Sequence, residues 1–249
     1  MKRPSIATIL YRHAHNKEEK RFTQNKDGWL NVTDLWNSCM RQVYLANLNK
    51  IPVVSLVDPV TRMRFEMGIA LEIVVKGWLA ELDIIELSHD SVRNTDLRII
   101  GHEDVRFKNG LIGEIKCQAP EIFRICQRFP LRYHQFQVET YLEFDKQYAE
   151  GVLASFTYGT NEKNPFRDQT VRFNVKVGEL LKQTVGPLRE AEAGGLLPDR
   201  VCASANDLRA RVCPVRDQCF SLPSRGLVKT IKEIYEAGFG NSTKNKTER

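Results

Sequence analysis

Between Gly101 and Cys117 the chain reads GHEDVRFKNGLIGEIKC, and this stretch constrains the fold more than any other. Val105 and Phe107 alternate on one side of Lys108-Asn109-Gly110, and Leu111, Ile112 and Ile115 supply the apolar positions on the other. That pattern predicts a β-hairpin. The loop length then decides what the hairpin can do. A two-residue Asn-Gly loop pairs Lys108 with Leu111 and sends Asp104 and Glu114 to opposite faces. A three-residue loop with Gly110 in the left-handed conformation pairs Phe107 with Leu111. Asp104 then lies opposite Glu114, and the period of two puts Lys116 on their face.

Two carboxylates and an ammonium at one sheet edge have a defined chemistry. Oxygen ligands from Asp104 and Glu114 suit a hard cation, Mg²⁺ or Mn²⁺, with positions left for water and phosphate. Such a cation polarises a phosphoryl oxygen and lowers the pKa of bound water. Lys116 can orient that water or offset charge on a pentacovalent phosphate. This chemistry requires the odd-numbered loop. The bland alternative is an exposed hairpin whose Glu and Lys are simply solvated.

The flanking helices add candidates. A helix expected from about Pro59 to Leu82 has Met67, Ala70, Leu71, Val74, Val75, Trp78 and Leu79 as its apolar side. It carries Gly68, placed to admit another backbone, and Glu72 one turn on as a third carboxylate, unless Glu72 pairs with Lys76. A helix over Leu131–Phe144 places Gln137 and Tyr141 on one face, where both can bond phosphate or orient a catalytic group. Asn31–Leu48 reads as one helix capped by Thr33. Strands are expected at Val152–Tyr158 and Thr170–Val175, and helices at Val177–Ala193 and about Leu227–Ala237. The run HNKEEKR near the start reads as a solvated helix or an arm, and GNSTKNKTER at the end as disordered. The resulting order predicts an α/β, mixed α+β core: a central mixed sheet flanked by helices. Its divisions are an N-terminal arm (1–30), the main domain (31–225) and a C-terminal helix with tail (226–249).

Lys+Arg 37 against Asp+Glu 31 gives a net charge of +6, which suits a polyanionic partner without requiring one. No apolar run approaches a membrane span and no signal-peptide core follows Met1-Lys2-Arg3, so a soluble, cytoplasmic protein is expected. A disulfide framework is then not expected for the six cysteines. Three of them, Cys202, Cys213 and Cys219, are separated by ten and then five residues. Three thiolates need a fourth for a cubane iron–sulfur cluster or a tetrahedral zinc site. Cys39 is the candidate, and its use would staple the two ends of the fold together. Cys117 and Cys126 are left over.

Taken in order, S-C-x-R-x-x-Y, G-x-x-x-E, G-H-x-D, G-E-I-K, Q-x-x-x-Y and C-P-V-R-D-x-C resemble the RecB-like PD-(D/E)xK nucleases. They are most similar to the iron–sulfur branch, which includes CRISPR-associated RecB-like exonucleases and the AddB nuclease domain. The resemblance spans Asn31 to Phe220. It implies a restriction-endonuclease-like core, with Asp104, Glu114 and the Ile115 carbonyl as metal ligands and Lys116 as the catalytic lysine. Gln137 and Tyr141 would support the site and contact DNA. Cys39, Cys202, Cys213 and Cys219 would hold a [4Fe–4S] cluster that joins the terminal segments. Glu72 stands where many relatives carry His. The implied activity is a metal-dependent deoxyribonuclease, an exonuclease on single-stranded DNA or DNA ends. Its partners would be DNA and recombination or CRISPR-adaptation proteins. Two further readings of the same features are a non-enzymatic iron–sulfur DNA-binding module and an electron-transfer protein.

Overall fold

The computed structural model describes residues 19–21, 28–51, 53–55, 58–86, 91–125, 131–158 and 164–239. The tail from Gly240, Cys126 and most of the first 27 residues lie outside the described residues. The hairpin forms with the three-residue loop. Strand β6 (Val105–Phe107) runs antiparallel to β7 (Leu111–Gln118) in the register Val105↔Gly113 and Phe107↔Leu111. Gly110 closes the turn at φ +82°, its N–H donating to the Phe107 carbonyl at 3.0 Å.

From this hairpin the sheet grows in the order β6-β7-β8-β9. Strand β8 (Glu150–Thr157) is parallel to β7, and β9 (Phe166–Arg172) returns antiparallel to β8. Helices α4 (Pro120–Ile125) and α5 (Arg132–Phe144) make the crossover that a parallel pair needs. Strand β9 starts earlier than expected because Arg167, Asp168 and Gln169, which read as loop, form an edge strand. A smaller sheet pairs β5 (Ile99–Gly101) with β2 (Leu30–Asn31) and β4 (Val92–Asn94). Strand β1 (Glu19–Arg21) pairs with β3 (Val53–Ser55), so part of HNKEEKR is strand rather than helix or arm.

Each face of the main sheet has its own core. On one, Val105, Ile115 and Phe156 meet Leu71, Val75 and Leu79 of α3 (Pro59–Glu81). Helix α3 starts at Asp58, whose carboxylate accepts the N–H groups of Val60 and Thr61 ahead of Pro59 in the first turn. On the other face, Ile112 and Leu153 join Val138, Tyr141 and Leu142 of α5. The same core takes in Val177, Leu181 and Leu188 of α6 (Lys176–Glu192).

The helix expected over Asn31–Leu48 is two: α1 (Val32–Leu35) and α2 (Met40–Leu48). Thr33 lies inside α1 and does not cap it. The break lets Trp36 pack edge-on against Tyr133 and Tyr235 and tilted against Phe136, while its carbonyl accepts the Lys232 N–H. Cys39 is extended and begins α2. Helices α7 (Leu208–Arg211) and α8 (Arg216–Ser221) follow near the C-terminus. Helix α9 (Ile231–Phe239) starts four residues later than expected, where Thr230 and Glu233 bond reciprocally as a capping box. No helix among the described residues is long and apolar enough to cross a membrane.

Candidate active site

Strand β6 ends at Val105 while β7 continues, so the β7 edge lies open from Glu114 onward. Asp104 takes over there. Its N–H donates to the Gly113 carbonyl at 3.1 Å, and its Oδ2 accepts the Ile115 N–H at 2.7 Å, in place of the missing strand. The N–H and C=O of one strand residue point to the same edge, so the Ile115 carbonyl faces the Asp104 side. The register places Glu114 next in line opposite Asp104, and Lys116, two residues on, is ion-paired to Glu114 Oε1.

Glu72 reaches this edge from α3. The pairing with Lys76 one turn on does form, at 2.7 Å, and Lys76 Nζ also lies 3.3 Å from Asp104 Oδ1. An ammonium therefore sits between two carboxylates from different elements. Among the described residues no backbone approaches Gly68: a Cβ there would meet nothing beyond its own helix within 4 Å. On α3, Leu71, Val75 and Leu79 are the packed side, whereas Met67, Val74 and Trp78 are largely exposed.

Burial sets the charge states. It lifts the Glu114 carboxyl from 4.5 to about 8, with Asp104 and Glu72 adding to the rise and Lys116 opposing it. Burial also raises Glu72, helped by Asp104 and opposed by Lys76. For Lys116, burial works against the charged form, but Glu114 and Asp104 outweigh it and hold the ammonium above its ordinary range. Glu114 Oε2 is buried and has no hydrogen-bond partner among the described residues.

Gln137 and Tyr141 lie beneath the edge, 2% and 1% exposed, which leaves them no surface for DNA. Gln137 Nε2 donates to the Tyr141 hydroxyl at 2.7 Å, and that hydroxyl donates to the His102 carbonyl at 3.2 Å. Burial and the nearby Glu114 push the tyrosine far above its ordinary range, so it remains a neutral hydrogen-bonding strut. Gly101 is needed above it, because a Cβ there would lie 2.6 Å from Tyr141 Cε1. Gly101→Ala should therefore lower stability by about 1–3 kcal/mol, seen as an earlier urea midpoint. Tyr133 and His134 were not singled out by the sequence, although they directly precede Gln135 and Gln137 on α5. Burial and Lys116 hold His134 down at about 3, so its imidazole is neutral.

Some 180 residues apart in sequence at its extremes, the thiol set assembles elsewhere. Cys39, Cys202, Cys213 and Cys219 line one cavity of about 230 Å³. Burial raises Cys39, Cys202 and Cys213, and mutual thiolate repulsion adds to each rise. Among the described residues, no three His, Cys, Asp or Glu side chains stand close enough to hold a single metal ion as placed. At the sheet edge, lysines lie among the carboxylates; at the thiols, a cavity lies between the side chains. Cys117 is half-buried beside Lys116, away from the thiol set.

No family model matches the chain, and no curated protein matches it. Solved structures do. An alkaline exonuclease from Laribacter hongkongensis superposes with a TM-score of 0.52 at 12% identity, covering 75% of this chain and 93% of that one. The same exonuclease in complex with dAMP gives 0.51 at 12% identity, with the same coverage. A phage-related exonuclease from Haemophilus somnus is more remote, at 0.37 and 12% identity over 61% of this chain and 78% of that one. The chain thus has the fold of the alkaline exonuclease: a mixed sheet flanked by helices.

Proposed function

We propose that the chain is a Mg²⁺- or Mn²⁺-dependent deoxyribonuclease that acts as an exonuclease on single-stranded DNA or DNA ends. The observation that carries this reading is Glu114. Its buried carboxyl lies beside Asp104 at an open strand edge with one oxygen lacking a hydrogen-bond partner among the described residues, and is costly to ionise unless a cation stands beside it. A divalent cation fits that need. Asp104, Glu114, Glu72 and the Ile115 carbonyl would hold it, an all-oxygen set suited to Mg²⁺ or Mn²⁺. When bound, such a cation supplies Lewis acidity at the phosphoryl oxygen and acidifies a coordinated water.

The chain's own residues do the rest. The Ile115 N–H fixes Asp104 through Oδ2 and leaves Oδ1 as the movable contact. Lys116 keeps its proton beside Glu114 and can donate to the attacking water or to a phosphate oxygen. Tyr141 and Gln137 support this edge from beneath. The exonuclease that shares the fold has been captured with dAMP, which supports a nucleotide substrate here. Cytoplasmic recombination, repair, phage DNA processing or CRISPR adaptation are the settings this activity fits, with DNA and the proteins of those pathways as partners.

For the second site we propose a [4Fe–4S] cluster. Four thiols around one cavity are a donor set that fits it, with single zinc as the lesser alternative. Iron and acid-labile sulfide in the anaerobically purified protein support the cluster; zinc in their place assigns the thiols to zinc.

Cleavage of 5′- and 3′-labelled single and double strands, with Mg²⁺ or Mn²⁺ and beside Lys116→Ala, tests the enzyme. Stepwise loss from one end is the expected result. Intact strands with both metals would end the reading. Lys76→Met removes the ammonium between Glu72 and Asp104 while keeping the side chain's length. It should raise Mn²⁺ affinity by roughly tenfold, the equivalent of about 1.4 kcal/mol, in a calorimetric titration. Unchanged affinity would mean that Lys76 does not compete with the cation.

A further inference from the structure

A cleft of about 390 Å³ opens beside Glu72 and Lys116, and one face of α3 lines it with Arg64, Phe65, Gly68 and Ile69. Two features of that face are not explained by packing among the described residues. Phe65 and Ile69, one helical turn apart, are left 60% and 56% exposed. Gly68 weakens a helix interior, yet among the described residues a Cβ at that position would meet nothing beyond its own helix within 4 Å. An exposed aromatic and aliphatic pair beside a side-chain gap, with an arginine at the margin, is the equipment for holding a flat apolar group that carries negative charge.

We infer that this face is a base-stacking track that leads a single DNA strand into the metal site. The inference rests on the nuclease reading above. Phe65 lies under a nucleobase, Gly68 leaves room for it, and Arg64 meets a phosphate. The strand is single because base faces are accessible to a side chain only where neighbouring bases do not cover them. Glu72 lies seven positions after Phe65 on the same face. That is about 10 Å along the axis, or about three nucleotides of stacked strand.

The test is fluorescence anisotropy of a labelled oligo(dT) strand in chelator, where no cleavage occurs. Phe65→Ala should weaken binding roughly fivefold to a hundredfold, and Phe65→Trp should retain it. On a fully abasic strand, wild type and Phe65→Ala should bind alike. Arg64→Ala should reduce the slope of log K against log salt by about 0.7. Gly68→Leu should weaken binding. Gly77→Leu, on the same helix at a second glycine with open space around its Cβ, should not. Normal binding by Phe65→Ala, or an equal loss on the abasic strand, overturns the track. If wild type cleaves DNA while Phe65→Ala binds normally, the track alone falls. Wild type that neither binds nor cleaves DNA overturns the nuclease reading and the track together.

Discussion

Glu114→Gln is expected to abolish cleavage and, in chelator, to remove most of the pH dependence of the protein's stability near neutrality. The first effect follows from the proposed nuclease reading, in which the variant deletes a ligand charge at the proposed cation, a loss of roughly 10³-fold or more. The second follows from burial. The Glu114 carboxyl is raised from 4.5 to about 8 by desolvation. Below 4.5 the folded and unfolded states both carry the proton, and nothing is lost. Between 4.5 and 8 the folded state keeps a proton that the unfolded state releases, so stability falls by about 1.4 kcal/mol per pH unit. Above 8 both states are ionised and the loss levels off. A glutamine carries no such proton, so the melting temperature of Glu114→Gln should stay flatter than that of wild type from pH 5 to 8. Lys116→Ala should be equally inactive yet keep the pH slope. Equal pH slopes for wild type and Glu114→Gln would show that Glu114 is not the group that titrates.

How far the sequence disclosed this site depends on how local each signal was. The hairpin was legible from the apolar positions on either side of Lys108-Asn109-Gly110, but both loop lengths stayed open there, and the structure has the three-residue one. The start of α3 at Pro59 was legible as well, whereas the box of Thr230 and Glu233 was not read and α9 begins four residues after the expected Leu227. Where partners come from far along the chain, the sequence was silent. Asn31–Leu48 has helical periodicity throughout, but Trp36 finds Tyr133, Phe136 and Tyr235, and that burial breaks the helix before Cys39. Helix α3 is apolar around most of its circumference, so periodicity could not choose its packed side. Lys76 could be paired with Glu72 from spacing alone, but its reach to Asp104 depends on how α3 lies across β7.

Arg41→Met should be the most destabilising single change outside the site, costing about 3–5 kcal/mol. Arg41 is fully buried, and among the described residues its two Nη groups donate to backbone carbonyls at Pro198 and at Cys219–Pro223. Nη1 reaches Pro198 O at 2.9 Å; Nη2 reaches Cys219 O at 3.2 Å, Leu222 O at 3.1 Å and Pro223 O at 2.9 Å. The acceptors at Cys219 and Leu222 lie at the C-terminal end of α8, where a helix favours a positive charge. Methionine fills much of the same volume but leaves those carbonyls without donors, so the loss reads out polar satisfaction rather than packing. Lysine brings a charge without the planar fork and should fall between the two. Urea melts should show the midpoint falling in the order Arg, Lys, Met with the slope unchanged. Because Arg41 lies two residues from Cys39 and grips the Cys219 carbonyl, it holds both halves of the thiol cavity together through protein contacts alone. Arg41→Met should therefore also lower the iron and sulfide content per chain, and full content in a destabilised variant would separate the cavity from this clamp.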